Sequence, residues 1–276
     1  MSIAEKLQNI AENEQRVFNA GYEKGLSEGG NTEEAYNQGV EDGKQAEYDA
    51  LWNLLQPNNG ETIYYGTFAG ISWTKEMLRP KHDVRPIGSS SVRSMFLHSL
   101  SYTKDSQLDM AEIEQECGIV FDFSGATGTA QEAFRDCCFK KLNVIDFSNI
   151  ADLTQTFASS SSGYGIERIE RLILNNTFVC YGQPFSACRT LQHIGFEGVF
   201  DTGYNVSFKD CIYLDGISIK SLINILSPTR ADGKITLSLQ AVNKAFETST
   251  GANDGSTSET WLLITSAKTN WTINLI

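Results

Sequence analysis

Hydrophobic and polar positions in the middle of the chain repeat at a fixed interval. The pattern Phe-x-x-Cys-x-x-Leu-x-x-Ile-x-(Phe/Ile) occurs at residues 185–196 and again at 208–219, an offset of 23 residues (208 minus 185). A period in the twenties is typical of proteins whose units stack on one another, because a single unit cannot bury its own apolar side. Weaker copies lie upstream, and the apolar positions predicted to form the repeat core are Phe134, Leu142, Ile145, Phe147, Phe157, Leu172, Leu174, Phe185, Cys188, Leu191, Ile194, Phe196, Phe208, Cys211, Leu214, Ile217 and Ile219.

Each repeat predicts two local structures. The segment Leu-x-x-Ile-x-Phe ends with two apolar residues at period 2, which places both on one face of a strand. Phe and Cys, three positions apart, share one face of a helical turn. We therefore expect an α/β fold in which residues 89–226 form a short leucine-rich-repeat-like solenoid of about five rungs with a period of roughly 23 residues.

Terminal caps are expected on both sides of the predicted solenoid, since terminal repeats must be sealed from water. Residues 57–88 are interpreted as a linker and N-terminal cap, and residues 227–276 as a C-terminal cap. The second cap is predicted to contain strands at 234–239 and 271–276 and helices at 241–247 and 258–268. Ahead of these, Ser106-x-x-Asp109 predicts a helix that ends before Gly118.

Residues 1–56 have the pattern of an α-helical, coiled-coil region. Apolar residues recur at a spacing near that of a coiled-coil seam, and glycines four apart align small residues on one face. Each glycine costs a helix about 1 kcal/mol relative to alanine, so such a helix needs a packing partner. We predict an oligomerisation and attachment region, with an acidic leader that orders only in part as the alternative. The residues predicted to bind the partner are Ile3, Leu7, Ile10, Val17, Gly21, Gly25, Gly39 and Gly43.

The repeat pattern resembles the BspA-like class of leucine-rich repeats, which occurs in bacterial surface proteins and phage virion proteins. Three further stretches, 1–14 (MSIAEKLQNIAENE), 79–86 (RPKHDVRP) and 270–276 (NWTINLI), resemble repeat-bearing proteins encoded by phages and prophages of gut Firmicutes. This resemblance implies a non-enzymatic virion structural protein, associated with the tail or baseplate, whose repeat domain binds a host-surface ligand. The implied partners of the N-terminal helices are other virion proteins and further copies of the chain. A trimer is favoured over a dimer by analogy with fibre-like tail proteins.

Two other functions remain open at this stage. A bacterial or prophage-encoded BspA-like surface adhesin would carry the same repeats and an export signal. A polysaccharide depolymerase would use paired carboxylates, for which Asp122 and Asp146 are candidates because each precedes Phe-Ser at adjacent repeats. The competing interpretation is that each aspartate caps the turn that follows it.

Charge and hydropathy limit the kinds of partner and the location that the chain can have. The formal net charge of −12 argues against a nucleic-acid partner, because duplex binding needs Lys and Arg to neutralise phosphates. Residues 1–60 hold 11 acidic against 4 basic residues, which is typical of a solvated acidic face. No apolar run approaches the ~20 residues of a membrane span. The start Ser2-Ile3-Ala4-Glu5 is interpreted as a capping box and not as a signal peptide, so we expect synthesis in the host cytoplasm and localisation in the virion.

The remaining chemistry-bearing residues predict no catalytic, cofactor or metal site. The 6 cysteines lack metal-type spacing, and we expect buried free thiols, with a Cys188–Cys211 bridge as the alternative. The 3 histidines are dispersed. His193 lies between repeat positions in the rung at 191–196, which predicts an outward-facing surface side chain.

Overall fold

A computed structural model describes residues 16, 18–24, 27, 32–55, 69–70, 75, 83–89, 92–99, 107–160, 165–248 and 254–276. The chain divides into two compact units. The first comprises Met1–Gln56 and Lys75–His82, and the second comprises Pro57–Thr74 and Asp83–Ile276. Of the predicted cap at 57–88, the described residues are 69–70, 75 and 83–88.

The first unit is helical where it is described. Helix α1 spans Thr32–Leu55, and residues 18–24 are also helical. The two helical segments approach closely at glycines. A Cβ atom added to Gly21 would lie 2.5 Å from Asp42 Oδ2, and one added to Gly39 would lie 2.8 Å from the Phe18 carbonyl oxygen. Only the absence of a side chain at these two positions permits the contact between the segments.

The second unit alternates short strands with short helices. Its strands are β1 (Gly88–Ser89), β2 (Leu108–Asp109), β3 (Ala126–Thr129), β4 (Phe139–Phe147), β5 (Ile150–Asp152), β6 (Arg168–Leu174), β7 (His193–Gly198), β8 (Val206–Phe208), β9 (Gly233–Leu237) and β10 (Trp271–Leu275). Its helices are α2 (Met110–Cys117), α3 (Gly216–Ile225), α4 (Leu239–Ala245), a 3₁₀ turn (Gly255–Thr257) and α5 (Glu259–Ser266). The helix predicted from Ser106-x-x-Asp109 to Gly118 is present as α2 and ends where expected, at Gly118 (φ 65°), but it begins later, at Met110, with Asp109 as its N-cap.

The described strands of the second unit form three parallel sheets. One has four strands in the order β2-β4-β6-β7, and the other two have three strands each, in the orders β1-β3-β5 and β10-β9-β8. In the four-stranded sheet, Leu142 pairs with Ile169 and Ile169 pairs with Ile194. Parallel pairing of successive strands requires a crossover each time, which the turns and helices between the strands supply.

The prediction of a leucine-rich-repeat-like solenoid of about five rungs is wrong. The structure is a mixed α/β fold with three separate parallel sheets and several helices. The difference is clearest where the pattern predicts a strand at Leu214–Ile219. There Asp215 caps helix α3, and its carboxylate accepts the backbone N–H of Ser218 at 2.8 Å. The apolar spacing of Ile219, Leu222 and Ile223 fits a helix, and these three side chains are buried.

The prediction that Ile217 belongs to the core is also wrong, because this residue is 69% exposed on α3. Period 2 would place Ile217 and Ile219 on one face, but a helix turns them roughly 200° apart. The other predicted core residues are buried, with at most 4% of their surface exposed. The helical turn expected for Phe-x-x-Cys also differs. Its third residue is left-handed at Asp136 (φ 49°) and Ala187 (φ 56°), so the chain reverses there instead of continuing a helix.

A column of phenylalanine rings fills the centre of the second unit. Successive rings of Phe96, Phe134, Phe157, Phe185 and Phe208 stack with centroid separations of 5.6, 5.8, 5.3 and 4.6 Å. Offset stacking at such distances adds to the free energy of burying the rings. The repeated phenylalanine position therefore marks residues that are neighbours in space.

Candidate functional site

His193, Asp215 and Ser218 form a cluster at the start of β7 and α3. His193 Nδ1 lies 2.8 Å from Asp215 Oδ2 and 3.5 Å from Ser218 Oγ. The Ser218 hydroxyl donates to Asp215 Oδ1 at 2.6 Å and accepts the N–H of Ile194 at 2.8 Å. A nucleophilic triad instead needs the serine on the imidazole nitrogen opposite the carboxylate. The three side chains therefore join the helix cap to strand β7.

The surroundings of the Asp215 carboxyl determine its protonation state. Burial raises the pKa of Asp215, but hydrogen bonds from Ser218 and His193 outweigh burial, and the pKa lies below its ordinary value. The carboxylate is thus held in the charged form that the cap uses. The prediction that His193 faces outward at the surface is wrong, since only 12% of its side chain is exposed.

Asp136 is a buried carboxylate, and its contacts are also structural. It accepts the N–H of Ser160 at 2.6 Å and the Ser160 hydroxyl at 2.8 Å, and His98 Nδ1 lies 3.3 Å away. The side chain of Asp136 is fully buried, whereas that of His98 is 54% exposed. A buried charge is stable only when hydrogen-bonded in this way. Asp136 therefore ties its own turn to the next one along the column.

The aspartates considered as a hydrolytic pair cap turns. Asp122 Oδ1 accepts the N–H of Ser124 at 3.1 Å, and Asp146 Oδ1 accepts the N–H of Ser148 at 3.0 Å. Hydrogen bonds from the Ser124 hydroxyl and N–H, with a contribution from Arg85, lower the pKa of Asp122. Both carboxylates therefore stabilise the turn that follows, as the competing interpretation predicts.

The 6 cysteines are free and buried. Contact with the Cys211 thiol and burial raise the pKa of Cys188, whose Sγ lies 3.0 Å from the Phe157 carbonyl oxygen. Burial raises the pKa of Cys138 to about 12 and that of Cys180 to about 11. These thiols stay protonated at neutral pH, so they are poor nucleophiles and poor metal ligands. Within the described ranges, no three His, Cys, Asp or Glu side chains are grouped closely enough to hold a metal ion.

A polar cleft of about 340 Å³ opens beside the sheet β10-β9-β8. The side-chain amide of Gln183 runs along the edge of β8, where Nε2 donates to the Asn205 carbonyl at 2.8 Å and Oε1 accepts the Ser207 N–H at 2.7 Å. Gln183 thus replaces a neighbouring strand at this edge. The residues that line the cleft include Gln183, Ser186, Asn205, Lys209, Asp210 and Thr236.

Two tyrosines, the exposed Tyr181 and the half-buried Tyr204, are close in sequence to residues that line this cleft. The rings of Tyr181 and Tyr204 meet edge to face with centroids 5.2 Å apart, and Tyr181 is 77% exposed. A hydrogen bond between the two phenols raises the pKa of Tyr204. Tyr204 immediately precedes Asn205, and Tyr181 lies two residues before Gln183. Large exposed aromatic side chains with a polar tip are typical of binding surfaces.

The first unit contains a separate aromatic cleft of about 530 Å³, lined by Phe18, Tyr22, Glu33 and Tyr36. The Phe18 ring stacks on Tyr22 and meets Tyr36 edge to face, with centroids 6.4 and 5.8 Å away. Of the predicted partner-binding residues, Gly21, Gly39 and Gly43 are buried in this unit. Ile3, Leu7, Ile10, Val17 and Gly25 lie outside the described residues.

We compared the chain with protein families, curated proteins and solved structures. No family model, no curated protein and no solved structure matches it. Among the helices of the described residues, none combines the length and apolar character that crossing a membrane requires.

Sequence reasoning missed both clefts. The aromatic cleft had a local signal, since Phe18 and Tyr22 are four residues apart and share one face of a helix. The polar cleft had none, because its lining residues lie at 183–186, 205–210, 236 and 276, which are four segments far apart in the chain. Only the pairing of β8 with β9 brings Asn205 next to Thr236.

Proposed function

We propose that the protein is a non-enzymatic component of a phage virion, at the tail or baseplate, that displays its second unit for binding to the host surface. The observation that carries the binding role is the contact between the exposed Tyr181 and the half-buried Tyr204, which lie next to residues of the polar cleft in the chain. Tyrosine provides a large contact area with little loss of conformational entropy, and interfaces are enriched in it.

The contacts of the chemically capable side chains support the non-enzymatic part of the proposal. Asp215 and Ser218 cap a helix, and Asp136 joins two turns. The thiols are buried, and those of Cys138, Cys180 and Cys188 have raised pKa values. Each of these groups is engaged in holding the fold, which is the opposite of a group poised to react.

The virion context rests on the sequence. Residues 1–14, 79–86 and 270–276 carry the resemblance to phage and prophage proteins, and all three stretches lie outside the repeat region at 89–226. A BspA-like surface adhesin is the second candidate, because an exposed tyrosine pair would serve cell attachment equally well. The first candidate places this binding surface on a phage particle, and the second places it on a bacterial cell.

Attachment of the chain to the particle is assigned to the first unit. Its aromatic cleft exposes 55% of Tyr36 next to Phe18 and Tyr22. An exposed aromatic patch on a small helical unit gains stability when another surface covers it. The partner we propose is a further copy of the chain, with a trimer favoured over a dimer, or a neighbouring virion protein.

Antibody labelling of phage particles tests the proposal. Particles induced from a lysogen that encodes the chain are labelled with gold-conjugated antibody against the full chain and imaged in negative stain. Label at the tail or baseplate is expected. Label confined to the envelope of uninduced cells would favour the adhesin, and absence of label from purified particles would contradict the virion assignment.

Host-cell binding tests the surface itself. Fluorescent full-length protein is expected to bind host cells, and Tyr181→Ala is expected to weaken that binding. Tyr213→Ala is the matched control, since Tyr213 is 53% exposed and does not line the cleft. Equal binding by the two variants would remove the tyrosine pair from the recognition surface.

A further inference from the structure

The polar cleft has the dimensions of a small-molecule site. Its volume of about 340 Å³ lies within the ~300–1,000 Å³ range of ligand pockets. Its lining is mainly amide, hydroxyl and charged side chains, which distinguishes it from the apolar lining that most ligand pockets have. A ligand that fits this lining must present both hydrogen-bonding groups and apolar surface.

Several polar atoms of the cleft have no hydrogen-bond partner within the described part of the chain. They are Ser186 Oγ, Asn205 Nδ2, Lys209 Nζ and Asp210 Oδ1, whereas Asp210 Oδ2 accepts the Ala187 N–H at 3.2 Å. The set contains donors, an acceptor and a hydroxyl that can do both. A sugar hydroxyl group likewise both donates and accepts, so neighbouring hydroxyls of one ring match these groups.

Charge in the cleft favours a neutral ligand. The ammonium of Lys209 and the carboxylate of Asp210 belong to adjacent residues and both line the cleft. An anion attracted by Lys209 would be repelled by Asp210, and a cation would meet the reverse. Two opposite charges side by side can each bind one of a pair of vicinal hydroxyls.

Asn205 is held in position before any ligand arrives. Its carbonyl oxygen accepts Gln183 Nε2 at 2.8 Å, and its Oδ1 accepts the Thr236 hydroxyl at 3.2 Å. These contacts fix the side-chain amide and leave Nδ2 as its available donor. A fixed donor loses little conformational entropy on binding.

Apolar surface for the C–H face of a sugar ring borders the cleft. Ile276 lines it and is 70% exposed, and Tyr204, whose ring contacts that of Tyr181, immediately precedes the lining residue Asn205 in the chain. Aromatic faces carry partial negative charge and attract the weakly positive C–H groups of a ring packed on them. Polar contacts at the ring edge and apolar contact on its face are both present at this place.

We propose that the cleft between Gln183 and Asp210 binds a neutral glycan, with Asn205, Lys209 and Asp210 holding ring hydroxyls and the tyrosine pair contacting the next sugar. This inference rests on the proposed recognition role of the second unit and names its ligand class. It assigns the specificity to the cleft and the additional contact area to Tyr181 and Tyr204.

An array of immobilised neutral, phosphorylated and sulfated oligosaccharides, probed with the full-length chain, tests the inference. Saturable binding to at least one neutral oligosaccharide is expected. Lys209→Met and Asn205→Ala are each expected to weaken that binding about tenfold, as loss of a charged or fixed hydrogen-bond donor does. Lys244→Met is the matched control, because Lys244 is exposed on α4 and does not line the cleft. Thermal melts establish that each variant is folded.

Three results would overturn the inference. They are no saturable binding to any neutral probe, unchanged binding by both cleft variants, and binding only to phosphorylated or sulfated probes. The last would mean that Lys209 selects an anion. If host-cell binding persists in the absence of glycan binding, the glycan inference fails and the proposed recognition role stands. If the chain binds neither cells nor glycans, the recognition role fails as well.

Discussion

The rings of Phe185 and Phe208 stack 4.6 Å apart, nearly parallel at 25°. They come from equivalent positions 23 residues apart (208 minus 185), and both are at least 98% buried. Neighbouring turns of the second unit are therefore bound together through one aromatic column. Loss of a side chain packed against this column affects several turns at once, because the rings contact one another in series.

A pair of substitutions separates buried from exposed repeat positions. Leu191 is 1% exposed, so Leu191→Asp is expected to cost at least about 4 kcal/mol, since it buries an unpaired carboxylate. Ile217→Asp is expected to change stability by less than about 0.5 kcal/mol, because the side chain faces water in the first turn of α3. Urea unfolding monitored by circular dichroism measures both. Equal destabilisation would mean that Ile217 lies in the core after all.

The left-handed conformation of Ala187 (φ 56°) predicts a stabilising substitution. Ala187→Gly relieves about 1–2 kcal/mol of backbone strain in the folded state. It also raises the conformational entropy of the unfolded chain, which costs about 0.5–1 kcal/mol of stability. We expect a net gain of about 0.5–1 kcal/mol and a melting temperature about 2 °C higher. The matched control is Ala151→Gly in β5, which has no strain to relieve and should lose about 0.5–1 kcal/mol. A loss of stability at both sites would show that Ala187 is unstrained.

Acidification is expected to remove the stabilisation that Asp109 contributes. Burial raises the pKa of this carboxyl, but Lys141 at 2.7 Å and the N–H groups of Ala111 and Glu112 lower it below 3.8. A depressed folded-state pKa stabilises the fold above the unfolded-state value of about 4, and this stabilisation disappears as the pH falls through the folded value. The melting-temperature difference between wild type and Asp109→Asn should therefore be full at pH 7 and decrease as the pH falls below about 4.

Asp232→Asn is the control for this acid dependence, because Asp232 is exposed and caps no helix. Its melting temperature at pH 7 is expected to differ little from that of wild type. Should Asp109→Asn behave in the same way, the Lys141 contact and the helix cap would contribute nothing to stability.

The buried thiols predict insensitivity to reduction. With 6 free cysteines, dithiothreitol is expected to leave the melting temperature unchanged. Because all six thiols are buried, and those of Cys138 and Cys188 also have raised pKa values, a thiol-reactive disulfide reagent at pH 8 should label them only after unfolding. Titration with and without guanidinium measures this. A drop in melting temperature with dithiothreitol would reveal a disulfide, with Cys188 and Cys211 as the first pair to examine.

Oligomerisation is predicted to depend on the first unit. Light scattering after size exclusion should give a multiple of 30.5 kDa for the full chain and a monomer for residues 61–276. In the full chain, Gly39→Leu should reduce assembly, since even a Cβ atom there would lie 2.8 Å from the Phe18 carbonyl oxygen. Glu41→Leu, at an exposed position of the same helix, is the control. A full-length monomer would leave docking to another virion protein as the only role of this unit.

Local signals in the sequence were sufficient for several elements. Asp109 and Gly118 mark the two ends of α2, because an N-cap carboxylate and a left-handed glycine act within one helical turn. The strand at Gly233–Leu237 and the one at Trp271–Leu275 also lie where the apolar pattern predicts them. In such places the residues that determine the conformation are neighbours in the chain.

By itself the sequence determined which residues are apolar, where they recur and where helices begin, and this was enough to predict buried positions such as Phe185, Leu191 and Cys188. Only the tertiary structure decided that the strands divide into three sheets and that Ile217 faces water. It also placed Gln183, Asn205 and Thr236 around one cleft. The reason is that strand pairing, and the choice between helix and strand for an ambiguous apolar run, depend on contacts between residues far apart in the chain.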